Sequence, residues 1–486
     1  MRIKAKFFLS LSAVLAVSIP SFSQSSDFIL QPPKVYESDL LGKDFFKNRR
    51  EVYASKINPK SVSVFFANDV RNRINDTDFK YRQNNSLYYL TGITEENSAF
   101  IFIPDSVRLT PESKPVTTIL FVMERDPQRE TWTGRRLGPS GAMSILGVDT
   151  AFTNDKFGDI LTKIAQSQFR AKKLENIYTP YSSESVEEKE LGKMISEFQE
   201  FRNSYHSYLN FLEPDKAIRE MRSIKTAEEI VLMKKAISIS GDGHIQMMKT
   251  AEPDMHEYEI QAMGEYIFTR SGSEYVGYGS ICGSGENSVI LHYETDRKQI
   301  KDGEVMLIDM AAEYHGYSAD ITRTFPINGK WSKEQLALYN IVLKAQQAGI
   351  DAIKPGVKIS DVTAIITDVL AQGLLDLGLI SDKAKSRRYT IHGYMHGIGL
   401  DVHDPAPSDG TFKPNYFTTV EPGIYIPEGS PVDKKWWNIG IRIEDDVMVT
   451  ETGNVNLSAN VPRDPKEIEK LMSKKGIGNL PIDYSK

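Results

Sequence analysis

Cysteine is nearly missing from this sequence: Cys282 is the one cysteine among 486 residues. A chain with a single thiol cannot close an intramolecular disulfide, so its stability must come from burial of apolar side chains. Hydrophobic residues make up 40% of the chain, which is ample for that purpose. Cys282 lies far in sequence from any motif that would activate a thiolate, and we expect it to be a buried, unreactive side chain.

The sequence also lacks a net positive charge. Lys and Arg number 59 against 65 Asp and Glu, a formal net charge of −6. This balance argues against a nucleic-acid-binding surface. The chain also lacks the long apolar runs of a protein with several membrane spans, and no stable membrane insertion of the mature chain is expected.

The N-terminal apolar run, Phe7 to Val17, is too short to cross about 30 Å of hydrocarbon comfortably. It follows three basic residues and precedes Ser21 and Ser23, small residues suited to the −3 and −1 positions of a cleavage site. This order is typical of a cleaved export signal. We therefore expect residues 1–23 to be removed and the mature chain to be periplasmic or secreted, with an uncleaved N-terminal anchor as the alternative.

The first part of the mature chain alternates strand-like and helical patterns. Apolar runs at 62–66, 99–103 and 118–122 indicate buried strands, and helical patterns occupy 45–55 and 160–168. Strands that alternate with helices are typical of an α/β domain. We place this N-terminal domain at 32–215.

The sequence pattern changes near residue 215. Helical patterns predominate after this point, and Thr226 can cap a helix that continues to Ile237. Two later segments resemble each other: the turns at 252–254 and 354–356 each precede a helical pattern and then strand-rich sequence. This weak internal duplication predicts a C-terminal α+β domain of two related halves. We place it at 216–465, followed by a tail at 466–486.

Carboxylates lie inside apolar strands of the second domain. Asp309 is embedded in an apolar run, and Asp320 follows eleven residues later at the start of a β-branched run. The intervening segment 313–317 has the glycine and polar content of a hairpin turn, so the two carboxylates can lie side by side. Two buried carboxylates a few ångströms apart cannot both stay ionised unless a cation lies between them. The pair therefore predicts a divalent metal site.

Three further residues extend this set of possible ligands. His396 is flanked by glycines, Glu421 ends a strand before a Pro-Gly turn, and Glu444 lies two residues after Arg442 on the same strand face. Four carboxylates and one imidazole suit two divalent ions, and the lack of a thiolate among them favours Mn²⁺ over Zn²⁺. Two metals about 3.5 Å apart can hold a bridging hydroxide as a nucleophile at neutral pH.

In this order the five residues resemble the ligand pattern of the pita-bread metallopeptidases, a family that includes methionyl aminopeptidases, prolidases and aminopeptidases P. The resemblance implies an α/β N-terminal domain followed by an α+β pita-bread catalytic domain of the creatinase/aminopeptidase kind. It also implies a division of labour among the ligands: Asp320 and Glu444 would contact both ions, Asp309 would complete one shell, and His396 and Glu421 the other.

Sequence motifs in both domains point to one branch of that family. The segments 81–84, 132–138 and 283–287 resemble aminopeptidases P, and the likeness extends over about residues 40–460. It implies hydrolysis of the first peptide bond in peptides with proline at the second position, and a dimer or tetramer. A prolidase, which is restricted to dipeptides, is the alternative; a catalytically inactive binding module on the same fold is a third possibility.

The resemblance also assigns residues around the metals. Positions that match His292, His392 and His403 line the substrate pocket in the family. His292 and His403 would donate to the oxygen of a tetrahedral intermediate and to substrate carbonyls. His392 would shape the proline-side pocket, and Glu421 would also carry a proton to the leaving nitrogen.

Six more positions bear on substrate binding or on packing between parts of the molecule. Tyr425 and Arg442 complete the substrate-binding set. Arg442 either braces the metal ligands or forms a plain surface salt bridge. In relatives the N-terminal domain approaches a neighbouring subunit's active site, so its motif residues Tyr81, Arg82, Trp132 and Arg135 either close a pocket or simply pack.

Overall fold

The structure, a computed structural model, describes residues 36–166, 173–180 and 189–479. The predicted export signal at 1–23 lies outside these residues. Within them, no helix is both long and apolar enough to cross a membrane.

Within the described ranges, the N-terminal part contains eight strands: β1 (Ser61–Phe66), β2 (Asn72–Ile74), β3 (Thr77–Asp78), β4 (Ala99–Val107), β5 (Val116–Val122), β6 (Thr150–Thr153), β7 (Asn176–Tyr178) and β8 (Asn210–Leu212). Six of them form a central mixed sheet in the order β6-β5-β4-β1-β7-β8, and β2 and β3 form a small separate hairpin. The three predicted strands are confirmed as β1, β4 and β5, which pair antiparallel as neighbours. Their continuous apolar runs follow from burial on both faces, since β1 is buried at every position.

Helices cover this sheet. They are α1 (Lys43–Lys56), α2 (Asn85–Thr91), α3 (Pro127–Thr133), α4 (Gly138–Leu146), α5 (Phe157–Gln166) and α6 (Lys189–Tyr205). The predicted helices at 45–55 and 160–168 correspond to α1 and α5, although residues 167 and 168 lie outside the described residues. Helix α2 begins where the Asn84 side chain accepts hydrogen bonds from the backbone N–H groups of Ser86 and Leu87.

The C-terminal part combines long helices with short antiparallel strands. Its helices are α7 (Asp215–Ser223), α8 (Ala227–Thr250), α9 (Glu257–Arg270), α10 (Lys333–Ala352), α11 (Ile359–Asp376) and α12 (Pro465–Met472). Its strands are β9 (Tyr275–Val276), β10 (Ile281–Ser284), β11 (Val305–Asp309), β12 (Ala312–Tyr314), β13 (Tyr317–Ser318), β14 (Thr322–Pro326), β15 (Phe417–Val420), β16 (Gly423–Ile426), β17 (Ile439–Arg442), β18 (Asp445–Val449) and β19 (Asn454–Asn456).

The predicted duplication is visible as two packed helix pairs. Helix α8 packs on α9 and α10 packs on α11, and strands follow each pair. Thr226 and Glu229 form the predicted capping box of α8. The helix runs to Thr250, well past Ile237, with Gly241 and Gly243 both inside it; Gly243 packs closely against the Phe268 ring of α9.

The two parts of the chain contact each other next to the predicted site. The Arg82 guanidinium donates to Glu313 Oε2 at 2.7 Å and to the Leu400 carbonyl at 2.7 Å. The Asn85 amide donates to the same carbonyl at 3.0 Å. The segment 397–404, which follows His396 and contains His403, is therefore held directly by the N-terminal part.

Candidate active site

Asp309 and Asp320 are brought together by a β-hairpin, as predicted. Strands β11 and β14 pair antiparallel, and Asp309 lies opposite Thr322. The chain turns at His315 and Gly316, whose φ angles of 50° and 87° suit a tight hairpin turn and favour glycine at the second position. The Asp320 backbone N–H donates to Asp446 Oδ2 at 3.0 Å, which fixes the backbone at this ligand.

Tyr278 joins these two carboxylates. Its hydroxyl oxygen lies 2.6 Å from Oδ1 of Asp309 and 2.6 Å from Oδ1 of Asp320. Burial and the two neighbouring negative charges raise the pKa of the Tyr278 hydroxyl, so it remains a proton donor. Sequence reasoning missed this residue, because a tyrosine outside any motif carries no signal until the fold places it.

His396 and Glu421 reach the same centre from the other side. The His396 Nε2 atom lies 3.5 Å from Asp320 Oδ2 and 3.5 Å from Glu421 Oε1. Glu444 completes the group, and its Oε2 accepts a hydrogen bond from the Thr322 hydroxyl at 2.7 Å. One ligand atom from each of Asp320, His396 and Glu444 lies within 4.8 Å of the others.

Crowding of negative charge makes this arrangement costly without cations. Burial first, and then the neighbouring carboxylates, raise the pKa of Asp320 and of Glu444 well above their ordinary values. Buried carboxylates in this state become favourable ligands once divalent ions offset their charge. Carboxylate oxygens with one imidazole nitrogen, and no thiolate, form a suitable donor set for hard or borderline metals. The residues therefore fit a divalent metal centre.

A chain of polar contacts runs from Arg442 through Tyr425 and His392 to Glu421. Arg442 Nη1 donates to the Tyr425 hydroxyl oxygen at 2.9 Å, and that hydroxyl lies 2.8 Å from His392 Nε2. Because arginine can only donate, the tyrosine proton is free to point at Nε2, which leaves the ring proton of His392 on Nδ1. That nitrogen lies 3.4 Å from Glu421 Oε2.

These residues surround one cavity of about 520 Å³. Its walls include all but one of the predicted site residues: His292, Asp309, Asp320, His392, His396, His403, Glu421, Arg442 and Glu444. The rings of His396 and His403 are 4.2 Å apart. Burial, followed by the nearby His396, lowers the pKa of His403, so its neutral form is favoured.

Tyr425 is the predicted substrate-binding residue that the structure does not place in the wall. It is 1% exposed and lies behind His392, which it contacts through its hydroxyl. In this structure the Tyr425 side chain therefore supports His392, and its contact with substrate stays a prediction. Glycine at 423 leaves room for the ring, since a Cβ there would lie 2.4 Å from the Tyr425 hydroxyl.

Arg442 is buried rather than superficial. It is 3% exposed, and its Nη2 donates to Asp309 Oδ2 at 2.6 Å. The alternative of a surface salt bridge is therefore wrong. Arg442 braces Asp309 directly and, through Tyr425, orients His392.

The motif residues of the N-terminal part divide into two groups. Arg82 packs within its own chain, as described above, and Tyr81 donates to Gln83 Oε1 at 2.9 Å. Trp132 is 88% exposed and Arg135 is also exposed, and neither lines the cavity of this chain.

Comparison with known proteins identifies both parts of the molecule. The model of the aminopeptidase P N-terminal domain matches residues 46–172, and that of metallopeptidase family M24 matches residues 231–451. The Xaa-Pro aminopeptidase of Escherichia coli K12 is 33% identical over 88% of this chain and 97% of that protein. The chain belongs to the aminopeptidase P family. The Xaa-Pro aminopeptidase of Haemophilus influenzae is 35% identical over 89% of this chain and 98% of its own length.

Solved structures agree with this family. Aminopeptidase P from E. coli with the inhibitor Pro-Leu matches with a TM-score of 0.80 at 33% identity, covering 89% of this chain and 99% of that one. The predicted succession of an α/β domain and a pita-bread catalytic domain is confirmed. So is the prediction that the chain is an enzyme, a metallo-aminopeptidase.

Proposed function

We propose that this aminopeptidase hydrolyses the first peptide bond of peptides with proline at the second position, and that it uses two divalent ions. The observation that carries the proposal is the convergence of four carboxylates and His396 on one cavity, with Asp320, His396 and Glu444 ligand atoms within 4.8 Å of one another. The relatives described above, whose names specify Xaa-Pro substrates, support the same specificity.

The ligand roles are those that the family resemblance implies. Asp320 and Glu444 would hold both ions, Asp309 would complete the shell of one, and His396 and Glu421 would complete that of the other. When bound, the ions would polarise the scissile carbonyl and supply a nucleophile from water at neutral pH. Mn²⁺ remains the ion we favour, because hard carboxylate oxygens dominate the donor set.

The remaining groups would handle protons and substrate oxygens. Glu421 would accept a proton on its carboxylate and pass it to the proline nitrogen as the bond breaks. His292 and His403, both in the cavity wall, would donate to the oxygen of the tetrahedral intermediate and to substrate carbonyls. His392, held by Tyr425, would shape the proline side of the cavity and keep Glu421 in place.

The test compares a tripeptide Xaa-Pro-Xaa, a dipeptide Xaa-Pro and a tripeptide Xaa-Ala-Xaa on the purified enzyme with Mn²⁺. We expect cleavage of the proline tripeptide and little cleavage of the alanine one. Asp320→Ala should lower kcat/KM at least about a thousandfold and remove bound metal. Asp302→Ala, which alters an exposed carboxylate in the turn before β11, should leave both unchanged.

Other outcomes would select other functions. Cleavage of the dipeptide alone would indicate a prolidase. No cleavage of any of the three peptides by metal-loaded protein would indicate a binding module. Full activity in Asp320→Ala would refute the proposed ligand set.

We also propose that the enzyme is exported and forms a dimer or tetramer. The basic, apolar and small-residue order of the first 23 residues supports export. The N-terminal residue of protein purified from the native cells tests it: a start at Gln24 supports cleavage, and a start at Met1 contradicts it. Light scattering in solution tests the assembly, which a monomeric mass would contradict.

A further inference from the structure

A buried carboxylate outside the cavity holds the segment that carries His292. Glu257, in the first turn of α9, is 0% exposed. Its Oε1 accepts hydrogen bonds from the Ser284 N–H at 2.8 Å, the Ser284 hydroxyl at 2.8 Å and the Asn287 amide at 3.0 Å. Its Oε2 accepts from the Tyr293 hydroxyl at 2.9 Å and the Lys298 N–H at 3.0 Å. All five donors belong to segment 284–298.

The same segment is fixed from its other side by strand β17. The Gly440 N–H donates to the Ser288 hydroxyl at 2.9 Å. The backbones approach so closely there that a Cβ at Gly440 would lie 2.0 Å from the Ser288 carbonyl oxygen, so only glycine fits. Segment 284–298 is therefore clamped between α9 and β17, and His292 lies between the anchored residues Ser288 and Tyr293.

His292 depends on this clamp because its ring has no support of its own. Among the described residues, the ring makes no hydrogen bond, and the residue is exposed to the cavity. Its position is therefore set by the backbone on either side of it. Tyr293, the next residue, is tied to Glu257 directly.

We propose that Glu257 is a positioning residue for His292, a role that rests on the proposed function of His292 at the substrate. Glu257 touches neither the cavity nor the predicted metal ligands. It acts by holding the backbone of 284–298 so that the His292 ring projects into the cavity at the right depth. A misplacement of about 1 Å at a reacting group can cost on the order of a hundredfold in rate.

A carboxylate is required because all five partners donate. Glutamine has the same shape, but its amide nitrogen would face either the Lys298 N–H or the Ser284 N–H, and two donors cannot pair. Glu257→Gln therefore loosens the clamp while filling the same volume. Tyr293→Phe removes one of the five hydrogen bonds, the one next to His292, and leaves the others.

The test is a double-mutant cycle between Glu257→Gln and His292→Ala, measured as kcat/KM on the proline tripeptide with metal-saturated full-length enzyme. We expect Glu257→Gln to lower kcat/KM roughly tenfold in the wild-type background and less than about twofold in the His292→Ala background. Bound metal should stay at the wild-type level. Tyr293→Phe should show the same pattern with a smaller loss.

The control variant is Glu259→Gln, which alters a carboxylate of the same helix that caps the His256 N–H and does not touch segment 284–298. It should leave kcat/KM unchanged. An equal loss from Glu257→Gln in both backgrounds, a loss of metal, or no loss at all would overturn the positioning role. A wild-type enzyme that cleaves no proline peptide would instead refute the proposed function, so the two failures are distinguishable.

Discussion

Individual side chains in the cavity are held in place by hydrogen bonds from neighbouring side chains. Tyr278 lies between Asp309 and Asp320, and Arg442 braces Asp309 while Tyr425 orients His392. The carboxylates of the predicted ligand set could be picked out from the sequence because acidic residues inside or at the ends of apolar strands are conspicuous. Tyr278 could not, because its role exists only once β11 and β14 pair and the chain before β10 bends over them. Bracing by Arg442 was one of the two sequence-based alternatives, whereas the role of Tyr278 required the fold.

At this scale we predict that Tyr278→Phe weakens metal binding. The substitution removes the hydroxyl that lies 2.6 Å from both carboxylates and keeps the ring that fills the space. Loss of a partner that orients ligands typically costs about 10- to 100-fold in metal affinity. Metal titration of the variant measures this. Tyr275→Phe, at a nearby tyrosine outside the cavity wall, should titrate like the wild type, and wild-type affinity in Tyr278→Phe would contradict the role.

A second residue-scale prediction concerns Asp296. Burial, outweighing the bond from the Cys282 N–H and aided by the charges of Glu257, Glu265 and Glu294, raises the pKa of Asp296 to about 7. The folded protein thus keeps a proton that the unfolded chain releases near pH 4 (about 3.9 for free Asp). The free energy of unfolding should therefore fall as the pH rises from about 4 to about 7, and above that range Asp296 should add no further loss.

The variant Asp296→Asn keeps an acceptor for the Cys282 N–H and has no charge to ionise. At pH 8 it should unfold at a higher temperature than the wild type, with a gain on the order of 1 kcal/mol, and near pH 4 the gain should vanish. Thermal unfolding at both pH values measures this. The same gain at both values would show that charge is not the cause, and Asp302→Asn serves as the exposed control.

At the scale of elements, the segment 397–404 connects the two parts of the molecule to the cavity. Asp404 at its end is buried and pairs with Lys225 at 2.7 Å and with Arg222. Arg82 and Asn85 of the N-terminal part hold the Leu400 carbonyl in its middle. Because His403 lies in this segment, the N-terminal part contributes to the cavity within a single chain.

We therefore predict that Arg82→Gln lowers kcat/KM on the proline tripeptide by about 3- to 10-fold without loss of metal. The shorter amide cannot span Glu313 and the Leu400 carbonyl together, so the segment that carries His403 loosens. Steady-state kinetics and metal analysis on the same sample measure this. Arg71→Gln, an exposed arginine of the same domain, is the control. Loss of metal, or unchanged kinetics, would count against the coupling.

The elements themselves were largely predictable where local signals are strong. The buried strands at 62–66, 99–103 and 118–122 have continuous apolar runs, and Thr226 with Glu229 forms a capping box at the start of α8. The end of α8 was not predictable, because the two glycines inside it, Gly241 and Gly243, are accommodated by tertiary packing that the local sequence does not indicate. The inward position of Tyr425 also required the pairing of β16 with β17.

At the scale of the whole molecule, the predicted ligands are spread over residues 309–444 and converge only through the fold. Their order and chemical types were enough to predict one centre, because charge buried at intervals in apolar strands must be compensated. Cys282 is 0% exposed, as expected, so the molecule is stabilised by its cores rather than by a disulfide. The proposed export rests on residues 1–23, which lie outside the described residues, and the proposed assembly rests on the family resemblance.

The metal content of the purified full-length enzyme tests the central claim most directly. The protein is stripped with a chelator, dialysed against Mn²⁺ and analysed for bound ion and for activity on the proline tripeptide. We predict two ions per chain in the wild type, with full activity restored, and fewer than two in Glu444→Ala, with activity lost. Fewer than two ions in the fully active wild type, or two ions in Glu444→Ala, would contradict the account.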